Sequence, residues 1–553
     1  MTSEVPQDAD AAHVRWWVVG PLSSTPDGAT HTLSRDNFQR SFAAFADPVA
    51  VDIGDALGSA VPVEVTIRAE KLRDLTQRDI IASNPILSEL IELAHAFGGS
   101  VSQRPNPLEA IARVREQLGE GQLTAEFAAC FAPPSDTVAP VAGSAASSLD
   151  NILDSHRSDV GSEAKQAVDS FISTMRQAAP SSRISAGDSK AHRQARDILE
   201  RWVYAATRAA LADPRTMRLE SVWRGLRALV DECRPGTITV RLLNVASSGL
   251  IEALRAIPQD LADPMEGPDA VFLWDEAPDV EQLDALAEIG ADLNAPIVCE
   301  GSPRLFGDTT VEELVARALD ENLDTSTDPG WLALRGREAA RWLTLVINPV
   351  VAASEGTTAA RRTVFASPVL AFASMLSASF CYTGGFARIL GKTGGLKAPA
   401  VFDVTAGSSR ITIPTRVFVP IRGQTQLATA GIIALGSGRN SDTVLTSAMP
   451  TARASDDALP FAAQVLTGRL VRFASWVVQQ LPSACSAAQL SQLFADAATV
   501  FLFPGMPENA AKLEAEVVDD GNSVRLIATV RPELAGIPFE VGFDMPLPHP
   551  ISS

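Results

Sequence analysis

DPRTMRLESVWRGLRALVDECRPGTITVRLLNV, residues 213–245, is the stretch from which the rest of the chain can be read. Apolar residues recur at helical spacing over 216–233, and then Ile238, Val240 and Leu242 alternate as in a half-buried strand ending near Val245. Downstream, strands and helices interchange, with a strand at 270–274, a helix at 279–290, a strand at 296–300 and a helix at 310–320. That rhythm predicts a largely parallel sheet covered by helices. Further helices are expected over 331–347 and 364–380. Near the C-terminus, residues 513–530 read as a hairpin around the turn Asp519-Asp520-Gly521-Asn522. Ile537, Phe539, Val541, Phe543 and Met545 then alternate as a strand with one apolar face, and a proline-rich tail ends it.

Upstream of the opening stretch lies a smaller α/β module. Residues 14–19 (VRWWVV) predict a strand, closed by Gly20-Pro21. A helix follows, with Ser34 as the expected N-cap and Phe38, Phe42 and Phe45 on one face. Val61, Val63, Val65 and Ile67 alternate as a strand. Helical patterns run from Leu72 to Phe97, broken near Asn84-Pro85, and again over 107–129. Residues 131–148 (FAPPSDTVAPVAGSAASS) are a linker of Ala, Pro and Ser with one charge. Beyond it, 149–230 reads as mostly helical. The expected domains are therefore 1–130, the linker 131–148, a helical part at 149–235 and an α/β region at 236–553. The fold class is α/β with α+β elements: a small module joined to a larger multi-layer region.

Composition narrows the function. The 553 residues exceed one hydrophobic core, and 46% apolar with 20% charged residues is ordinary for globular chains. A net charge of −20 disfavours binding to phosphate backbones or anionic membranes. Five widely spaced cysteines point to reduced thiols and show no zinc or redox spacing. The acidic start has no apolar segment of the kind a signal peptide needs, so a soluble cytoplasmic protein without membrane insertion is expected.

Stretches that resemble catalytic signatures fail on spacing. In Gly384–Gly395 (GGFARILGKTGG), a phosphate loop would need glycine at 386, where Phe386 stands, so a role for Lys392 in nucleotide binding is disfavoured. Gly436-Ser437-Gly438 lacks the third dinucleotide glycine, since 441 is serine. The six histidines form no i,i+3 or i,i+4 pair, and no G-x-S-x-G elbow occurs. No catalytic, metal or cofactor site is expected.

The opening stretch resembles the large sheath subunit (TssC or VipB) of type VI secretion systems, through Glu220, Trp223, Arg224, Gly225, Leu226, Leu243, Asn244 and Val245. Collinear pieces extend the likeness: Ala295-Pro296, Ser302-Pro303 with Leu305-Phe306-Gly307, Trp331 to Arg341, Arg472-Phe473-Ala474, and the C-terminal hairpin and strand. Ser148 to Leu153 resembles the start of that subunit. Residues 14–125 resemble the small subunit (TssB or VipA), through Val18-Val19-Gly20 and Asp36-Asn37-Phe38.

The resemblance implies two sheath subunits fused in one chain, with no enzymatic activity. Such a protomer would polymerise helically with itself around an Hcp-like inner tube, contact baseplate proteins, and contract. A ClpV-like AAA+ ATPase would disassemble it through the large subunit's N-terminal helix, here Leu149, Ile152 and Leu153. Three features depart from the family: only about a dozen residues precede the first strand, the Gly-rich segment usual between Leu254 and Val271 is shortened, and that helix is internal. A sheath-derived adaptor or baseplate-associated protein that no longer polymerises therefore remains open. So does the role of Ile537, Phe539, Val541 and Phe543, as an inter-subunit pairing strand or as a strand of the core.

Overall fold

The computed structural model describes residues 13–100, 104–132, 186–260, 263–275, 277–321, 323, 327–356, 361–391, 394–406, 409–482, 485–502 and 511–551. The chain divides into two compact units. One comprises Met1–Ala50, Thr66–Asp79 and Leu211–Ser553, the other Val51–Val65 and Ile80–Ala210. Most of the linker at 131–148, and the segment with Leu149, Ile152 and Leu153, lie outside the described residues.

The larger unit is organised by a seven-stranded sheet. Its strands are β1 (Val14–Gly20), β2 (Thr30–Leu33), β3 (Ile238–Asn244), β4 (Ala270–Leu273), β5 (Ile297–Glu300), β6 (Leu343–Ile347) and β7 (Ile432–Ala434). Their order is β7-β6-β5-β4-β1-β3-β2, all parallel except β2, which runs antiparallel to β3. The N-terminal strand β1 thus sits between β3 and β4. It pairs with β3 from Val14↔Ile238 to Gly20↔Asn244, and with β4 from Trp16↔Ala270 to Val19↔Leu273.

The partition expected from composition placed residues 1–130 in a module of their own. Compactness instead assigns 1–50 to the same unit as 211–553. The physical reason is the place of β1. A central parallel strand needs partners on both edges and cover on both faces, and β1 takes both partners, β3 and β4, from beyond residue 237, while its sequence neighbour β2 pairs with β3.

One face of the sheet presents Trp17, Val19, Leu243, Val271, Leu273, Ile297 and Leu345 to a core closed by α3 (Leu250–Asp260), α4 (Val280–Leu293) and α5 (Val311–Leu319). Capping boxes start two of these helices: Asp279 with Gln282 for α4, and Thr310 with Glu313 for α5. On the other face lie α2 (Pro214–Glu232) and α6 (Pro368–Thr383), which pack on each other. Trp16 is fully buried there. It stands edge-on to Phe272 at 5.4 Å, and its Nε1–H donates to Ser377 Oγ at 3.0 Å. Helix α6 is apolar nearly all round, as a helix buried on most sides must be.

The C-terminal region adds α7 (Phe461–Gln479), α8 (Ala487–Ala497) and a three-stranded antiparallel sheet. Its strands β8 (Ala511–Val518), β9 (Ser523–Val530) and β10 (Phe539–Pro546) lie in the order β8-β9-β10. The hairpin expected around 519–522 is present, with Asp519, Asp520 and Gly521 at φ of 52°, 54° and 94°, left-handed values that suit a tight turn.

The smaller unit is helical over Pro85–Gly98, Pro107–Leu118, Gln122–Ala129 and most of Ala186–Leu211. Phe97, Phe127, Phe131 and His192 cluster with ring centroids 5.6–5.8 Å apart. Asn84 caps the helix that begins at Pro85, accepting from the Leu87 N–H at 3.1 Å.

Several local expectations are corrected. The helix over 107–129 is two helices, because Gly119 adopts φ 69° and a Cβ on Gly121 would lie 2.2 Å from the Gly58 carbonyl oxygen. Ser34 does not cap the Phe38–Phe45 helix (α1). It exchanges hydrogen bonds with Asn37, which holds the N-cap position. The expected helix at 331–347 ends at Arg335, and Leu343–Ile347 is a fully buried strand. A short, continuous apolar run fits either element, and the β-branched Thr344, Val346 and Ile347 favour the strand. Residues 364–366 likewise belong to a strand, Arg362–Ala366, and α6 starts at Pro368 behind the Ser367 cap. The strand expected at 61–67 is only Glu64–Ile67, with Val61 exposed.

If β1 is as central as its pairing indicates, residues 186–553 expressed alone should be largely insoluble, and co-expression with residues 1–132 should recover soluble complex. A soluble, cooperatively unfolding 186–553 fragment would contradict this.

Candidate functional site

The residues singled out on α2 form its contacts with the rest of the larger unit. Trp223 is fully buried, with Phe38, Phe42 and Phe45 of α1 at 5.5–5.6 Å between ring centroids, and its Nε1–H donates to Leu22 O at 3.4 Å. Gly225 marks a close helix crossing, since a Cβ there would lie 2.6 Å from Leu370 Cδ1 of α6. Leu226 is buried beside it in sequence.

Glu220 is a fully buried carboxylate. It accepts from Arg224 Nε at 2.7 Å and is paired with Arg362, which also donates to Glu355 Oε1 at 2.9 Å. Burial lowers the affinity of Arg362 for its proton, but the hydrogen bonds and charges of Glu220 and Glu355 outweigh it and hold the pKa above the usual value. Glu355 Oε2 accepts the Gln77 N–H at 3.1 Å. One network therefore ties α2 to the Val350–Glu355 and Arg362–Ala366 hairpin and to the segment at 72–79.

Asn244 ends β3 and is 1% exposed. Its Oδ1 accepts the Leu22 N–H at 2.8 Å, and its Nδ2 donates to Ser23 Oγ at 3.1 Å and Asp27 Oδ1 at 3.0 Å. One side chain thus holds the whole β1–β2 loop. Burial acts to raise the pKa of Asp27, but donors from Ala29, Asn244 and His31 overcome it and hold the carboxyl below its usual value.

Ser302, Pro303, Leu305, Phe306 and Gly307 form the turn that leaves β5. Ser302 Oγ accepts the Arg304 N–H at 3.3 Å, Leu305 and Phe306 are buried, and Gly307 takes φ 78° to stop the short 3-10 helix. Glu300, immediately before this turn, carries a pKa pushed up to about 7 by burial, with Arg416 pulling the other way.

The strand β10 separates two roles that its sequence merges. Phe539 is buried, and Val541, Phe543 and Met545 are half-buried against the core formed by α7, α8 and the strands β8 and β9. The apolar side chains thus face inward. Ile537 lies before the strand and is exposed. Among the described residues, β10 pairs only with β9, so its second backbone edge is unpaired. The solvent side carries a bidentate Arg525–Asp544 pair at 2.8 Å that fixes the register.

Among the described residues no group of His, Cys, Asp and Glu could hold a metal ion, and no helix is long and apolar enough to cross a membrane. A cavity of about 450 Å³ beside the β1–β2 loop is lined by Leu22, Phe45, Val49 and Leu219 among others. Its charged residues are already engaged: Asp47 with Ser24, Arg215 with Asp213 and Arg218 with Asp275.

No family model matches the chain. It is similar to the type VI secretion system sheath protein TssC1 of Pseudomonas aeruginosa, 26% identical over 270 residues, which cover 41% of this chain and 54% of that protein. The chain therefore spans about half the length of the curated relative it matches. The resemblance read from Glu220 to Asn244 and beyond thus has a named sheath homologue.

Among solved structures, the contracted sheath of the anti-feeding prophage aligns with TM-score 0.30 and 14% identity, over 53% of this chain and 70% of that one. The contracted sheath complex of the extracellular injection system PVC aligns with TM-score 0.32 and 12% identity, over 60% and 77%. A sheath tail protein of Listeria innocua gives 0.32 and 9%, over 55% and 61%. At these TM-scores the superpositions do not establish a common fold.

Two stability predictions follow from the buried charges. Glu220→Gln leaves Arg362 under-compensated and should cost about 3–5 kcal/mol in denaturant unfolding, with Glu220→Gln/Arg362→Met recovering part of it. Glu300 has a folded pKa of about 7, above the usual 4.5 of a glutamate carboxyl. Its stabilising contribution is therefore complete below pH ~4.5 and is lost as pH rises through ~7. Relative to the wild type, Glu300→Gln should gain stability across that window, by an amount on the order of 3 kcal/mol at pH 8. A pH-independent difference between the two would refute the assignment.

Proposed function

We propose that this chain is the structural protomer of a contractile sheath in a type VI-like injection machine, with small-subunit-like and large-subunit-like parts in one polypeptide. It stacks helically with copies of itself around an Hcp-like tube and meets baseplate proteins at the end of the stack. The role asks for contact surfaces and a rigid body, and no catalytic centre.

The observation that carries this reading is β10. Its apolar side chains are committed to the core, while its outer backbone edge offers unpaired N–H and C=O groups, the template on which a strand of another copy can add. The similarity to a sheath protein supports the same reading. A heterologous contact of this kind repeats without closing and generates tubes.

Negative-stain microscopy of the purified chain, alone and with an Hcp-like tube protein, tests the proposal. Long tubes of uniform diameter are expected. A small discrete oligomer under all conditions would instead favour a sheath-derived adaptor. The strand itself is tested by Val541→Pro and Gly542→Pro. Neighbouring N–H groups in an antiparallel strand point to opposite edges, so one proline removes a bond to β9 and the other only an outward donor. The outward variant should keep the wild-type thermal midpoint and lose tube formation. Tubes formed unchanged by both variants would exclude pairing along this edge.

A further inference from the structure

The N-terminal ends of β1 and β4 meet α7 at a concentration of positive charge that the sheath reading does not use. Asp269, 3% exposed, immediately precedes β4. Its Oδ2 accepts the Arg15 N–H at 2.8 Å, and its Oδ1 accepts from Arg472 Nη2 at 2.5 Å. Arg472 also donates to Asn294 O at 2.5 Å, so its guanidinium is engaged on two sides.

Arg469 lies one helical turn before Arg472, on the same face of α7. Its side chain is 7% exposed, and its nearest anion is Asp269 Oδ1 at 3.8 Å from Nε, beyond hydrogen-bond reach. Arg15 is the third member. Among the described residues, its guanidinium makes no ion pair or hydrogen bond, while the fields of Asp269, Arg469, Arg241 and Glu266 all reach it. Burial lowers the pKa of both Arg472 and Arg15. Arg469 adds to that shift in each, and Asp269 opposes it. His13, beside them, is likewise lowered by burial first and by Arg15 and Arg469.

One buried carboxylate thus faces three guanidiniums, with Glu266 as the other carboxylate near Arg15. Among the described residues the guanidinium of Arg15 has no acceptor, and Arg469 has only the loose 3.8 Å ion pair with Asp269. Leaving a buried cation uncompensated is costly, whereas a guanidinium pair is suited by shape and charge to hold an oxyanion. This is a surplus of cations inside a chain of net charge −20, so it does not follow from overall composition.

We propose that Arg15 and Arg469, together with Arg472, form a binding site for an oxyanion of the sulfate or phosphate class at the N-terminal ends of β1 and β4. The bound anion accepts from the guanidiniums of Arg15 and Arg469 and completes the charge balance that Asp269 begins. It thereby locks β1 to α7, and it acts in the folded protomer whether or not the chain forms tubes.

The test uses the full chain, exchanged into chloride, with sulfate, phosphate or acetate added at constant ionic strength. Sulfate and phosphate at low millimolar concentration should raise the thermal midpoint of the wild type saturably, and isothermal titration should give one site per chain. Arg469→Met should abolish the saturable increment and weaken titrated binding at least tenfold. In chloride alone its midpoint should equal or exceed that of the wild type, because an uncompensated charge has gone. Arg525→Gln, an exposed control on β9, should keep the increment. General salting-out by sulfate would act on all three proteins alike. A wild-type chain with no saturable response, or an Arg469→Met chain that keeps the full response, overturns the proposal. Should Arg469→Met not fold, the wild-type titration still decides it.

Discussion

Insertion of β1 between β3 and β4 is the constraint on which the larger unit depends. Closing a loop of roughly two hundred residues costs about 2 kcal/mol more than closing one of twenty, because the entropy grows only logarithmically. Against that stand Trp16, Trp17, Val18 and Val19, all buried, each contributing on the order of 1.5–3 kcal/mol. Burial therefore wins, provided both sheet faces are covered. The sheet meets that condition: Trp17 and Val19 enter the core closed by α3, α4 and α5, and Trp16 lies against Phe272 and α6.

Helix α2 converts this insertion into a rigid body. It has three different contacts, each of a distinct physical kind. Trp223 supplies aromatic area against α1, Gly225 permits the backbone of α2 to approach α6, and Glu220 joins Arg362 in a buried charge network. Asn244 performs the corresponding task at the end of β3 by satisfying the backbone of the β1–β2 loop. These residues are the ones that carry the resemblance to sheath proteins, and in this fold their contacts are internal. Their identity reports how the larger unit is built. It says little about what that unit touches.

The alternating strands and the βαβ succession from 238 to 319 were legible because period-2 and period-3.6 patterns need only local sequence. The placement of β1 was not, since nothing local in VRWWVV names residues 238–244 and 270–273 as its partners. Leu343–Ile347 misled for a related reason: a run buried on every side loses the periodicity that separates strand from helix. In β10 the alternation located the strand correctly, but it also drew attention to Phe539, Val541 and Phe543, which point inward, and away from the backbone edge, which leaves no trace in side-chain pattern. The arginine cluster had no sequence signal at all. Arg15, Asp269 and Arg469 are hundreds of residues apart, and only the sheet brings them together.

A seven-stranded sheet that joins strands from residues 14–33 and 238–434 cannot easily change its internal packing, because close-packed cores have discrete arrangements and resist small continuous shifts. If copies add along β10, any change of lattice must be taken up where packing is thinnest. The three-stranded sheet β8-β9-β10 is such a place, small and, among the described residues, unpaired on the outer edges of β8 and β10, with its core shared with α7 and α8. Subunits would then move as rigid bodies joined by paired strands. Main-chain hydrogen bonds are well suited to such a joint, because they hold the connection while the contacts between rigid faces are exchanged.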